Sequence, residues 1–526
     1  MNTPFAKNDT EIQVGQLKDF LGETIALLGI EHVLTDQLRI VEKTKNSLSY
    51  SKTVPAIIYP QNSQEVSTIV SLASEHGIKL YAISRGRNIG YGEISPPGDG
   101  QVVVSLERMS RIHEFDPQAG EVTLEPGVSQ EQLCKFLFDQ GDRWIADVTG
   151  APPDSSIVGN ALDGGFGHTA LGNHREHILE AEAVLGNGNT LRTGRFPGLG
   201  PNLAPLLIQS NFGIVTSLRI PLLRKPETIV TFLIHFKSKE SFISAIPLIQ
   251  ELRQLGVMQN LLHVANATRI FMSTHRFPPH LSREVVLSDA DCQTMMKFSL
   301  IKSPLWAGVG ALYGTKVQVN ESIRILKSRL KGIGKIQTFS DRKFKLMRGV
   351  AKFVLWRSPK TLREMIGRID SLESVHRLCQ GIPTERPLEH IHWKVGKKSD
   401  LGLIWIGPVI KADEKSALQL IQILKPIFAE FKFEMPITMT FIDHAHLVCI
   451  LNICFDKSSA EEAERAHRAY KAIDLTLSAN NVERYRKGIL FQQSGIPEGR
   501  LETIRRLKLA LDPEGIIAPG RYGICS

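Results

Sequence analysis

At residue 84 a strand-like apolar run, KLYAI, gives way to the loop Ser84-Arg85-Gly86-Arg87-Asn88-Ile89-Gly90-Tyr91-Gly92. Gly86, Gly90 and Gly92 permit positive φ and let backbone N–H groups come close to a ligand. Arg85 and Arg87 supply charge suited to a pyrophosphate. A tight turn bearing two exposed arginines explains the loop equally well. No helix pattern starts directly after Gly92, so the loop is not a Rossmann fingerprint. AIIYP reads as a strand, and SQEVSTIVSLASEHG as a helix with Ser63 as N-cap and Gly77 as stop. QVVVSL and EVTLEPG read as strands and VSQEQLCKFLFDQG as a helix. Strand, helix, strand and then further strands predict an α/β or α+β domain.

The chain has 526 residues, enough for about two to four folding units with a substantial core. Apolar residues make up 42% and charged residues 22%, which excludes wholesale disorder, collagen and a disulfide-stapled miniature. No run approaches the roughly 20 apolar residues of a membrane helix; the longest, Leu401–Ile410, is interrupted by Gly402, Gly407 and Pro408. The polar N-terminus lacks a signal-peptide pattern, so a cytoplasmic location is expected. Cys134, Cys292, Cys379, Cys449, Cys454 and Cys525 are scattered and form no CxxC pair, so no metal site is expected. The net charge of +9 favours anionic ligands in a general way. With no long Lys/Arg block, it does not predict a nucleic-acid partner.

Residues 1 to about 53 read as a helical lead-in. Glycine-rich texture continues to residue 226, and residues 227–480 mix longer helices with alternating strands, as a second domain would. The closing segment LDPEGIIAPGRYGICS returns to the turn-rich texture of the first part.

Three further stretches share the character of the first loop. They are DSSIVGN followed by Gly164-Gly165-Phe166-Gly167-His168, then SNFGIVT, then APGRYG. Small residues, hydroxyls and an amide suit a dinucleotide lying along main chain; glycine-rich surface loops are the alternative. In this order VPAIIYPQNSQEVSTIV, SRGRNIGYG, VTLEPGV, SSIVGNALDGGFGHTALGNH, LGNGNTLRTG, SNFGIVT and APGRYG resemble the vanillyl-alcohol oxidase and p-cresol methylhydroxylase family of FAD enzymes. The resemblance runs from about residue 50 to the end. It implies an α+β fold with a two-part FAD-binding domain, residues 1–226 plus 481–526. A cap domain, residues 227–480, would carry an antiparallel sheet flanked by helices. The implied FAD contacts fall at Ser84, Arg85, Gly86, Arg87, Asn88, Ile89, Gly90, Pro126 and Gly127. They continue at Ser155, Ser156, Gly159, Asn160, Gly165, Gly167, Gly213, Ile214, Val215 and Arg521.

The family's substrates are para-substituted phenols, and Tyr91 and the pair Tyr485-Arg486 match the residues that hold the phenolate oxygen. A phenol ionises near pH ~10, and a fixed arginine with two phenolic donors favours its anion. The anion then pushes electrons through the ring as the benzylic carbon delivers hydride to flavin N5, leaving a quinone methide. A helix-surface pair is the bland alternative for Tyr485-Arg486. The resemblance leaves molecular oxygen or a cytochrome-like carrier as electron acceptor and admits a homodimer. A second expectation is oxidation of a larger phenol-bearing biosynthetic intermediate with loss of carboxylate. A third is a flavin-binding protein without turnover.

The chain also departs from the family pattern. The position that carries covalent FAD in several relatives falls at Leu403, and Arg87-Asn88 stands where wider relatives have a linking histidine, so the FAD is expected to be non-covalent. Where some oxidases place an Asp near flavin N5, Thr149 to Ala151 fall, flanked by Asp147 and Asp154. His168 replaces a family tyrosine; it is either a base or a residue that only packs or donates to FAD. In the expected strand through TFIDHAH, His444 and His446 share a face, and His446 matches a family histidine. His390 and His392 are further candidates of the same kind.

Overall fold

A computed structural model describes residues 4–196, 198–297, 305–490 and 496–525. The lead-in forms the helices Pro4–Leu28 and Gln37–Thr44 and is not helical beyond Thr44. There Asn46 Oδ1 accepts from Leu48 N and Tyr50 N, offering the backbone an alternative to helix. None of the described helices is long and apolar enough to cross a membrane.

The architecture is α+β. Strand Val102–Ser105 lies between Ile57–Ile58 and Leu80–Ile83, parallel to both, and Val33–Leu34 closes one edge antiparallel. Val102, Val103 and Val104 have no exposed surface, as an unbroken apolar run in a parallel sheet requires. The connecting helix Ser63–Glu75 buries Val66, Ile69, Val70 and Ala73, one face at helical spacing. Its N-cap is Asn62, not Ser63: Asn62 is extended and its side chain accepts from Glu65 N, while Ser63 is already helical. The C-terminal segment returns to this sheet. Leu80 N donates to Ile516 O at 2.8 Å, and Leu80 pairs with Ile517 in parallel.

A second, antiparallel sheet orders Ile112–Asp116, Glu121–Leu124, Gly213–Pro221, Glu180–Leu185 and Thr190–Arg192. The third sheet has nine strands and is antiparallel throughout. Period-two alternation gives it two unlike faces. Phe232, Ile234, Phe236, Val264, Ile404, Ile406, Met439 and Phe441 pack against the helices Ile246–Gln254, Glu414–Glu430 and Ala460–Ala479. The intervening residues Leu233, His235, His263, Ala265, Ala307, Val309, Trp405, Thr438 and Thr440 line a cavity.

One expected strand is two. Ile437–Phe441 ends before the turn at Asp443, and His446–Asp456 begins after it. Asp443 Oδ1 accepts from Ala445 N and His446 N, which folds the chain back. His444 and His446 are therefore not neighbours on one strand face.

Candidate active site

The cavity, about 690 Å³, lies between the glycine-rich loops and the open face of the nine-stranded sheet. Most expected cofactor positions line it: Ser84, Gly86, Arg87, Asn88, Ile89, Pro126, Ser155, Ser156, Gly159, Asn160, Gly213, Ile214, Val215 and Arg521. Arg85, Gly90, Gly127, Gly165 and Gly167 do not. Arg85 instead donates to Asp154 O at 2.6 Å and Gly127 O at 3.0 Å, tying three loops together. The glycines are close-approach positions. A Cβ on Gly127 would lie 2.6 Å from Glu107 O, on Gly165 2.1 Å from Asn160 Oδ1, and on Gly167 2.1 Å from Asp147 Oδ1. Gly90 has φ +80°, and its Cβ would meet the Trp405 ring at 2.3 Å.

The lining fits a polar ligand. Ser155 Oγ, Asn211 Oδ1 and Arg521 Nη1 are buried without hydrogen-bond partners among the described residues, although all three residues line the cavity. Buried polar atoms are rarely left unpaired, and these three are groups that a dinucleotide's oxygens and amides would satisfy.

Tyr485 and Arg486 reach the cavity from an edge strand. Glu483 pairs with Val409, and Tyr485 N donates to Gly407 O at 2.8 Å. Arg486 then turns inward, its guanidinium 4.3 Å from the Tyr91 ring centroid. It donates to Asn88 Oδ1 at 2.6 Å and forms an ion pair with Asp163. Asp163 also accepts from Asn88 Nδ2 at 3.0 Å, from Arg521 Nη2 at 3.1 Å and from the Tyr522 hydroxyl. Burial would raise the Asp163 carboxyl, but Arg486 and Arg521 outweigh it and bring its pKa to about 2. Burial likewise opposes the Arg486 charge, and the Asp163 carboxylate more than restores it. Burial pushes the Tyr91 phenol well above its ordinary range, so it stays a neutral donor. Two guanidiniums facing one carboxylate leave this corner positive. Arg175 adds to it, donating to Gly164 O at 3.3 Å and to Tyr485 O.

A string of rings leads from this corner along the cavity. Phe166 lies 5.7 Å from Tyr485 and 5.9 Å from His263, and His263 lies 4.8 Å from His168. His263 Nδ1 shares a hydrogen bond with Thr440 Oγ1 at 2.9 Å. Burial lowers His168 to about 4 and holds His263 well below its ordinary value, so both imidazoles are neutral at ordinary pH. Thr149, Gly150 and Ala151 line the cavity, but Asp147 and Asp154 do not. Asp147 accepts from Thr169 N and Gly172 N and pairs with His174, and Asp154 pairs with Arg87. His390 lines the cavity and His392 does not. His446 is not brought to the cavity: it is half exposed and paired with Asp443.

Sequence reading passed over Asp163, Arg175, His263 and Arg269. Asp163, an acid inside a glycine-rich motif, carried a usable signal. His263 and Arg269 sit in ordinary-looking segments and carried none. Arg269, on the helix Ala267–Thr274, is buried at the cavity wall, donates to Ile450 O at 3.1 Å, and stands 5.8 Å from the Trp405 ring centroid.

Residues 54–194 match the FAD binding domain family. The chain is 30% identical to the 1'-carboxy-chondrochloren decarboxylase of Chondromyces crocatus, over 94% of this chain and 95% of that protein. It is 25% identical to the 4-cresol dehydrogenase [hydroxylating] flavoprotein subunit of Pseudomonas putida, over 95% and 94%. The crystal structure of p-cresol methylhydroxylase with substrate bound superposes with a TM-score of 0.85 at 23% identity, covering 97% of both chains.

Proposed function

The chain belongs to the vanillyl-alcohol oxidase and p-cresol methylhydroxylase family of FAD-dependent oxidoreductases, and on that basis we propose that it oxidises a para-substituted phenol at the carbon attached to the ring. The observation that carries this reading is the convergence of Tyr91, Tyr485 and Arg486 on one positively charged corner of the cavity. Bound FAD supplies a two-electron acceptor for the hydride that leaves the benzylic carbon. The protein's part is to hold and ionise the phenol. Arg486, anchored by Asp163 and Asn88, offers a fixed positive charge, and the two tyrosines offer hydroxyls to the phenolate oxygen. Phe166 and the face of the nine-stranded sheet enclose the ring. Loss of hydride from the phenolate leaves a quinone methide, and water adds at the benzylic carbon to restore the phenol.

A second reading is oxidative decarboxylation, favoured by the end-to-end similarity to a decarboxylase. If the carbon beside the benzylic position bears a carboxylate, the quinone methide can expel CO₂. The electrons of the broken C–C bond form an alkene and return the ring to phenolate, with no water consumed.

Anaerobic mixing with a 4-alkylphenol tests the main reading: the flavin should bleach. Arg486→Ala should slow that reduction by about a hundredfold or more, the scale of losing one preorganised charge donor. Reduction at the normal rate in this variant would sink the phenolate clamp. Admitting air to the reduced enzyme separates the two electron acceptors: rapid return of the flavin colour marks an oxidase, and slow return a carrier-dependent dehydrogenase. Evolved CO₂ and an alkene product would select the second reading.

The FAD is proposed to be held without a covalent bond, because Leu403 has no nucleophile and packs at Gly90. Acid precipitation should release all of the yellow colour into the supernatant. Colour retained in the pellet would mean that another side chain forms the link.

A further inference from the structure

The Arg486 charge is answered by Asp163, but the charge on Arg269 has no such answer. Its side chain is buried, and it takes part in no salt bridge among the described residues. One carbonyl, Ile450 O, accepts from Nη2, the indole of Trp405 lies beside the guanidinium, and Nε has no hydrogen-bond partner. A guanidinium carries five N–H donors in a fixed fork that suits a carboxylate. A buried cation left with one neutral acceptor is a standing cost to the fold unless an anion joins it. Arg269 lines the cavity, so an anion can reach it from there.

Two anions could enter the cavity with the cofactor and the substrate core, and neither falls to Arg269. The positions assigned to the FAD diphosphate lie in the glycine-rich loops, whereas the contacts of Arg269, Ile450 and Trp405, belong to the nine-stranded sheet. The phenolate is assigned to Arg486. A second arginine on the same flank, Arg368, bonds His275 at 3.1 Å and forms no salt bridge among the described residues, which extends the positive wall. We propose that Arg269 binds a carboxylate on the para side chain of the substrate, so that the enzyme reads its substrate as a dianion, phenolate at one end and carboxylate at the other. This rests on the phenol-oxidising reading above.

The test compares 3-(4-hydroxyphenyl)propanoate with the uncharged 4-propylphenol, using the FAD-loaded enzyme and its Arg269→Gln and Arg269→Lys variants. The readout is the ratio of the two kcat/KM values for flavin reduction. In the wild type the carboxylate should win by about tenfold to a hundredfold, the scale of a charge-assisted pair in a buried site. Arg269→Gln should collapse the ratio towards one, and Arg269→Lys should restore part of it. A wild-type ratio near one, or a ratio that survives in Arg269→Gln, overturns the proposal. So does a shifted flavin reduction potential in Arg269→Gln with the ratio intact, because the charge would then serve the flavin. If neither phenol reduces the wild-type flavin, the phenol reading itself has failed.

Discussion

Burial sets the protonation of the residues nearest the chemistry. His168 is held at a pKa of about 4, against an ordinary 6.5, because burial in the cavity wall disfavours its charged form. Between these values the unfolded chain binds a proton that the native protein excludes. Stability is therefore complete above the unfolded value and falls as the pH drops towards about 4. At about 1.4 kcal/mol per pKa unit, His168 accounts for ~3 kcal/mol of acid destabilisation. His168→Gln should flatten the slope, read as urea midpoints at about pH 7 and about pH 5. An unchanged slope would mean that His168 protonates freely in the native state. His263, also lowered by burial, acts in the same direction, so the slope should shrink and not vanish. His168 was visible in the sequence as a departure from a family tyrosine, but its neutrality was not, because burial depends on His263 and the sheet above it.

Among the elements, the short edge strand Glu483–Arg484 matters most, because it sets where Tyr485 and Arg486 emerge. Gly407 immediately precedes its partner strand Pro408–Lys411, and its bare Cα lets the Tyr485 ring lie alongside: an added Cβ would meet Tyr485 Cδ1 at 2.6 Å. Gly407→Ala should therefore move the ring while the sheet holds. Displacing a positioning group by about 1 Å can slow catalysis about a hundredfold, so phenol-dependent flavin reduction should fall steeply while FAD content is retained. Normal reduction kinetics in that variant would show that the ring position is not critical. The strands themselves were legible where apolar and polar residues alternate, as in Ile437–Phe441, where Ile437, Met439 and Phe441 face the helices and Thr438 and Thr440 face the cavity. The break at Asp443 was not legible, because the apolar pattern on either side reads as one continuous strand.

The whole molecule closes through its C-terminus. Lys508 and Asp512 form an ion pair with no exposed surface. Lys508 Nζ also donates to Asn211 O at 2.5 Å and Ile517 O at 2.8 Å, so it joins the helix Glu498–Leu511 to the SNFGIVT loop and to the segment beside Leu80. Removing one partner of a buried pair typically costs ~3–5 kcal/mol. Lys508→Met should lower the denaturation midpoint accordingly and weaken FAD retention, since Arg521 and Tyr522 follow on the same segment. A variant with unaltered midpoint and flavin content would remove that role. The sequence by itself determined what is local: helices and strands from periodicity, close approaches from glycine, and the ordered loops that resemble an FAD family. Those features depend on φ, ψ and neighbours a few residues apart. Only the tertiary structure decided which charges are answered. Asp163 meets Arg486 across 323 residues of chain and Arg521 across 358, while Arg269 is brought to the cavity wall with no acid paired to it among the described residues. Coulombic balance depends on distance in space and on exclusion of water, and neither is encoded in sequence spacing.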